Sequence, residues 1–280
     1  MSWAVLALVL ASGFVHAVWN MWAKGSRRPL VFLWSFQWVA VALYAPFAWH
    51  SLANHALPPR GMLLLLATIA LHGAYVLLLA RSYKLADFSQ LYPIMRGTSP
   101  LLVPLLATAV IGERLPAMGW LGAGLVVLGV IIVAGGLPSR KALTGGAYVG
   151  VLVGLAITGY TLVDKLTLAY VPAVALNVLS NAGNLAVLTI PALGTREAWR
   201  ECRERPLAIF AAGVLSPLSY LLFLWALRQG PVAALGPMRE IGIVFGALLG
   251  VFWLREANAM RRILGSLLIT AGVIALATQP

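Results

Sequence analysis

Two short stretches decide the fold: Tyr92-Pro93-Ile94-Met95-Arg96-Gly97 and Gly236-Pro237-Met238-Arg239-Glu240. At an offset of 143, Met95-Arg96 falls on Met238-Arg239. The register holds downstream, where Glu113 falls on Glu256, Gly122 on Gly265 and Gly129 on Gly272. Upstream the offset is 141, and Gly13 falls on Gly154, Trp19 on Tyr160 and Lys24 on Lys165. Loops tolerate such small length changes. The chain therefore reads as one unit written twice, as residues 1–137 and 138–280.

What each unit contains follows from composition. The 280 residues are 61% apolar and only 10% charged, with a mean hydropathy of +0.91. A soluble domain carries about 25% charged residues. A soluble enzyme, a disordered chain and a disulfide scaffold are all excluded, the last also because Cys202 is the one cysteine. One cysteine and four scattered histidines do not make a structural zinc site. Apolar runs fall near 2–23, 29–49, 61–82, 88–111 and 116–135, then near 144–164, 172–193, 206–228, 232–254 and 260–277. Each has the length a bilayer-spanning helix needs, about 20 residues. Nothing basic precedes the first run, so it is expected to be a retained helix and not a signal peptide. Most connections are short, and neighbouring helices should pack antiparallel. The longest loops are Ser51–Arg60 and Gly194–Arg205.

Five spans per unit force the two units into opposite orientations. Loop charge tests this independently. Lys plus Arg in equivalent loops of the two halves number 3 against 1, 1 against 4, 2 against 1 and 1 against 3. The bias alternates in direction, as inverted repeats require when basic loops stay in the cytoplasm. With Arg140 and Lys141 included, the odd-numbered loops hold 14 basic residues and the even-numbered ones 4. The odd loops are then cytoplasmic, and both termini lie outside. The net charge of +12 reads as this topology signal and not as a nucleic-acid footprint. The expected architecture is all-α and integral to the membrane: ten transmembrane helices as two inverted five-helix repeats.

Three groups of residues carry a family resemblance: Pro93-Ile94-Met95-Arg96-Gly97, Gly112-Glu113-Arg114 and the Gly122/Gly129 spacing. Together they resemble one repeat of the EamA family, within the drug/metabolite transporter superfamily. Ala226-Leu227-Arg228-Gln229-Gly230-Pro231, Glu256 and Gly265/Gly272 resemble the second. The resemblance covers nearly the whole chain. It implies a ten-helix secondary transporter with a central cavity between the halves. His16-Ala17-Val18-Trp19-Asn20 and Tyr92–Pro100 resemble members found with phosphonate-utilisation genes.

Polar groups inside spans are costly and usually face the bundle interior. Arg96 and Arg239 lie about 10–12 Å from their helix starts, at 1.5 Å per residue. As a pair of guanidinium forks they suit a carboxylate, phosphate or phosphonate. They would also serve structurally, by bonding carbonyls freed at Pro93, Pro100 and Pro237 and by pairing with Glu240. Glu240 is the one carboxylate placed well inside a span, and the position aligned with it is Gly97. It is the first candidate for proton coupling, with a structural ion pair as the competing role.

Asn177, Asn181 and Asn184 share a helical stripe, as do His16 and Asn20, and His72 and Tyr75. Each stripe could line a polar cavity or make interhelical hydrogen bonds. Trp19, Tyr92, Tyr160 and Tyr220 are the aromatic candidates for the cavity wall. Lys24, Asp164 and Lys165 fall at helix ends, where snorkelling to the headgroups accounts for them. Prolines at matching places in the fourth and ninth spans are expected to interrupt both, as at substrate sites of repeat-built transporters. Glycines recurring every four residues, at 146, 150 and 154 and at 242, 246 and 250, mark close packing faces.

No HExxH, GxSxG or P-loop pattern is present, and an enzymatic role is not expected. The expected function is secondary transport of a small, anionic organic metabolite across the inner membrane by alternating access. Arg96, Arg239, Asn20, Trp19, His16, Tyr92, Asn177, Asn181, Tyr160 and Tyr220 are expected to bind the substrate, with Glu240 in coupling. The expected partners are the substrate, the lipid bilayer and a proton as coupling ion, in a monomer or homodimer with no cofactor, no metal and no nucleic acid. Two other readings stay open: an exporter of amino acids or amphipathic drugs, and a non-transporting accessory or lipid-handling membrane protein.

Overall fold

The computed structural model describes residues 1–24, 26, 28–53, 55–85, 88–136, 147–194, 198–252 and 258–278. At 23–24, 83–85, 88–90, 92–93, 147 and 198–199 only the backbone is described. The first half contributes α1 (Trp3–Lys24), α2 (Pro29–Leu52), α3 (Pro59–Leu85), α4 (Phe88–Leu106) and α5 (Ala117–Ala134). The second contributes α6 (Ala147–Thr167), α7 (Ala173–Leu193), α8 (Ala198–Glu204), α9 (Pro206–Gln229), α10 (Val232–Met238), α11 (Ile241–Phe252) and α12 (Ala259–Ala277). Among the described residues ten helical stretches are long and apolar enough to cross a membrane, and they coincide with the ten apolar runs. Large side chains such as Trp3, Trp49, Leu63, Ile190, Leu207 and Phe252 point outward. In a bilayer that apolar surface meets lipid.

Helix boundaries have local causes. α2 and α9 each begin with proline at the first helical turn, where the missing N–H would have no partner anyway. α4 runs into a π-helical turn, Ala107–Ile111. Gly112 ends it in the left-handed region at φ 79°, a conformation other residues adopt only with strain.

The halves are interlocked through helices that are repeat-equivalent. α5 crosses α12 at two glycine contacts. A Cβ at Gly122 would stand 2.8 Å from the Gly272 carbonyl oxygen, and one at Gly129 would stand 2.7 Å from that of Gly265. The reciprocal distances are 2.5 Å at Gly272 and 2.7 Å at Gly265. Gly122 and Gly265 are equivalent, and so are Gly129 and Gly272, so each member of a pair touches the other pair. That is the contact pattern of a two-fold axis. A second set of contacts repeats it. Gly13 of α1 abuts Ile241 and Gly242 of α11, while Gly154 of α6 abuts Thr98 of α4. Gly13 is equivalent to Gly154, and Ile241 to Thr98. The first helix of each half thus packs on the fourth span of the other.

Two details depart from the sequence expectation. Residues 198–204, read as part of a loop, form the short helix α8. Its Glu201 is buried and accepts a 2.6 Å hydrogen bond from Ser26. Cys202 lies 3.1 Å from the Ser35 hydroxyl. The fourth and ninth spans are also not interrupted alike. Between α10 and α11 the backbone tightens to i→i+3 bonds, with Glu240 N–H donating to Pro237 O at 3.0 Å and Ile243 N–H to Glu240 O at 2.8 Å. α4 continues through Pro93 and Pro100 to Leu106. Within α4, Thr98 donates to the Ile94 carbonyl, and Thr108, in the turn beyond, donates to that of Pro104. Side-chain hydroxyls therefore supplement the backbone ladder there.

Candidate functional site

The polar interior is built where α1, α3, α4, α6, α9 and the α10–α11 break converge. Each of its charges has a different environment.

Arg96 projects from α4. Its Nη2 lies 2.8 Å from Oε2 of Glu240, with the two side chains 17% and 4% exposed. Glu240 sits in the backbone break, one residue from Arg239, yet its ion-pair partner comes from the opposite half. The turn separates the two neighbours in direction and frees Glu240 to meet α4.

Arg239 has no carboxylate within ion-pair distance among the described residues. Its guanidinium lies 4.8 Å from the ring centroid of Tyr220 and 4.7 Å from that of Phe223. Nη1 donates to the Tyr160 hydroxyl at 3.4 Å. Cation–π contacts stabilise such a charge by about 0.5–2 kcal/mol. They do not neutralise it. His16 of α1 faces this region, and the charges of both Arg96 and Arg239 act on it.

Asp164 is the counterpart. The sequence reading placed it at the membrane interface, but its side chain is fully buried. The apolar run was cut at residue 164, whereas α6 continues to Thr167 and carries the carboxylate inside. Thr68 of α3 and Tyr220 of α9 donate their hydroxyls to it. His72 Nε2 lies 3.2 Å from Oδ2. His72 in turn stacks on Tyr160, with centroids 4.1 Å apart and planes 21° apart. Asp164 and Arg239 are thus bridged twice, through Tyr220 and through His72–Tyr160.

Lys165 is also corrected. Its Nζ donates to the carbonyls of Leu227 and Gly230, each at 2.8 Å, and so satisfies acceptors at the end of α9. Just beyond, the Glu113 carboxylate accepts the N–H groups of Val232 and Ala233 at 3.0 and 2.8 Å. That is the N-cap function for α10, supplied from the other half because Pro231 has no capping side chain. Lys165 and Glu113 together brace the turn that closes one end of the interior.

The remaining expected residues divide. Tyr160 and Tyr220 join the cluster. Trp19 packs edge-on to His16, with centroids 5.3 Å apart, and its buried Nε1 has no hydrogen-bond partner among the described residues. Asn20 bonds its own helix at the His16 carbonyl. Asn177 is buried and donates to the Pro217 carbonyl of α9 at 2.7 Å, and Asn181 donates to Asn177. This pair ties α7 to α9. The side chains of Tyr92 and Lys24, and all of Glu256 and Gly146, lie outside the described residues. Sequence reasoning missed Asp164, Thr68, Phe223 and the roles of Glu113 and Lys165.

The sequence matches the EamA-like transporter family twice, over residues 2–135 and 144–278. A protein described as an uncharacterized transporter, from Vibrio cholerae serotype O1 (strain ATCC 39315 / El Tor Inaba N16961), is 29% identical over 234 residues, covering 80% of this chain and 73% of that relative. A protein of known crystal structure superposes with a TM-score of 0.79 at 17% identity, over 99% of this chain and 97% of the other. This last likeness shows the fold alone. None of the three bears on the association with phosphonate use.

Proposed function

The chain belongs to the EamA-like transporter family, and from that premise we propose that it carries a small anionic organic metabolite across the membrane by alternating access of its two inverted halves. The observation that carries this reading is Arg239: a permanent cation inside the bundle, on two aromatic rings, with no carboxylate beside it among the described residues. A buried charge without a counter-ion in direct contact is costly, and in transporters such residues commonly mark the substrate path. A carboxylate, phosphate or phosphonate supplies the missing charge and matches the planar fork.

The other groups have roles around that anion. Arg96 is the second fork, held by Glu240 until the substrate competes for it. A proton on Glu240 would release Arg96, which is the coupling role the sequence suggests. Tyr160, Tyr220, Trp19 and His16 line the substrate's flank, with Asn20 behind His16 and Tyr92 on the facing helix. Asn177 and Asn181 hold the wall formed by α7 and α9. Basic odd-numbered loops support a cytoplasmic α8 and termini outside the inner membrane.

The test is ligand-dependent thermal stabilisation of the purified protein against methylphosphonate, phosphate, succinate, zwitterionic amino acids and amphipathic cations. A ligand at about 100 times its dissociation constant adds about 2.7 kcal/mol of apparent stability. Stabilisation by the anions, lost in Arg239→Gln, is the expected result. Stabilisation only by zwitterions or cations would make both arginines structural and assign the protein to amino-acid or drug export. No solute flux in liposomes holding only this protein would favour an accessory role.

A further inference from the structure

We propose that Asp164 is a proton-binding site linked to the anion site, and that each anion bound at Arg239 brings a proton onto Asp164. This rests on the reading of Arg239 as the anion site. It concerns a carboxylate other than Glu240.

Charge pairing in the interior carries the argument. Arg96 is neutralised by Glu240 at 2.8 Å. Lys165 and Glu113 both cap backbone groups at the same turn. Among the described residues of this interior, the cation Arg239 and the acid Asp164 remain, with His72 beside Asp164. Arg239 and Asp164 do not touch. Tyr220 stands between them, with its hydroxyl on Asp164 and its ring face under the guanidinium. The second bridge runs from Asp164 through His72 to Tyr160, whose hydroxyl accepts from Arg239. With the site empty, the two charges compensate each other across the aromatic rings. An anion at Arg239 takes that compensation away from Asp164. In a low-dielectric interior the carboxylate then needs another cation.

Among the described groups around Asp164, only His72 could carry that charge, and only by taking up a proton itself. Thr68 and His72 face it from α3 and Tyr220 from α9. On its own helix, Lys165 is committed to the Leu227 and Gly230 carbonyls. Among the other elements packed on α6, α4 offers Arg96, already held by Glu240, and α9 offers Arg228, exposed at its end. The available cation is a proton from bulk water. It forms an O–H bond on the carboxylate, which keeps one oxygen to accept the Tyr220 or Thr68 hydroxyl. Anion and proton thereby enter as a neutral pair. By linkage, an anion that brings a proton with it binds more weakly as pH rises, by up to about tenfold per pH unit.

The experiment is calorimetric titration of the full chain in nanodiscs with methylphosphonate, phosphate and succinate. It uses two buffers of different ionisation enthalpy, so that the difference reports protons taken up per anion. The expected uptake in the wild type exceeds that of Asp164→Asn by about one proton. His72→Gln tests whether the imidazole, and not the carboxylate, takes the proton. Equal uptake in wild type and Asp164→Asn overturns the proposal while leaving the anion site standing, and so does loss of uptake in His72→Gln alone. Failure of all three probes to bind overturns the anion site and this linkage with it. If Asp164→Asn does not fold, Tyr220→Phe cuts one bridge and decides the matter. A flatter pH dependence of affinity is expected, and an unchanged one overturns the proposal.

Discussion

Arg96 and Arg239 occupy equivalent positions in two copies of one unit, yet their surroundings have little in common. Arg96 has a carboxylate at 2.8 Å. Arg239 has two aromatic rings and a phenol. The scaffold around them is symmetric to the level of paired glycines. The site is not. The difference comes from single residues: Glu240 stands opposite Gly97, and Asp164 opposite Ala23. Symmetry supplies two related helices, and the acids decide which arginine is paired with a carboxylate.

The largest effect should come from breaking the paired arginine. Glu240→Gln leaves the Arg96 charge without its partner, and about 3–5 kcal/mol of stability should be lost. The double substitution Arg96→Met with Glu240→Met should recover most of it. Unfolding in mixed micelles checks both, and a mild single variant would mean that the pair is already hydrated. Arg239→Gln sharpens the contrast from the other side. Its stability should change by only about 1–2 kcal/mol, since the cation–π contacts and one hydrogen bond to Tyr160 are lost and Asp164 can take up a proton in compensation. Anion affinity should fall about a hundredfold, equivalent to about 2.7 kcal/mol. If the stability losses at the two arginines are equal, their environments are not the distinction they are taken to be. The smallest effect tests the symmetric scaffold. Gly265→Ala would press a methyl against the Gly129 carbonyl and Val133, at a cost of about 1–3 kcal/mol. Gly124→Ala meets open space and should be neutral or slightly stabilising.

Spans and their number are legible because the apolar runs are long and the charges between them few. The same rule hides Asp164 and Lys165. Both are charged, so both end an apolar run on paper. In the fold they are held by Thr68, His72, Tyr220 and two carbonyls 56 to 96 positions away. No local pattern encodes such partners. Glu240 was legible as a buried acid and as a structural partner for the arginines, but which of the two it would hold was not. Its direction depends on the backbone break, and prolines alone did not say which span would break. α4, with more prolines than α10, stays helical to Leu106. The glycines were readable twice: first as a repeat in register, then as the place where the copies meet.

That crossing of α5 and α12 is the interface of an antiparallel homodimer written into one chain. In a true homodimer every substitution appears twice. A glutamate at the position of Glu240 would then face its own copy across the axis, with two acids among two arginines. Asp164 would be doubled as well. Fusion of the copies removes that constraint and lets one half change alone. The reciprocal glycines preserve the geometry of two identical partners, and the peptide link between them is what allows an interior with one arginine on a carboxylate and the other on aromatic rings.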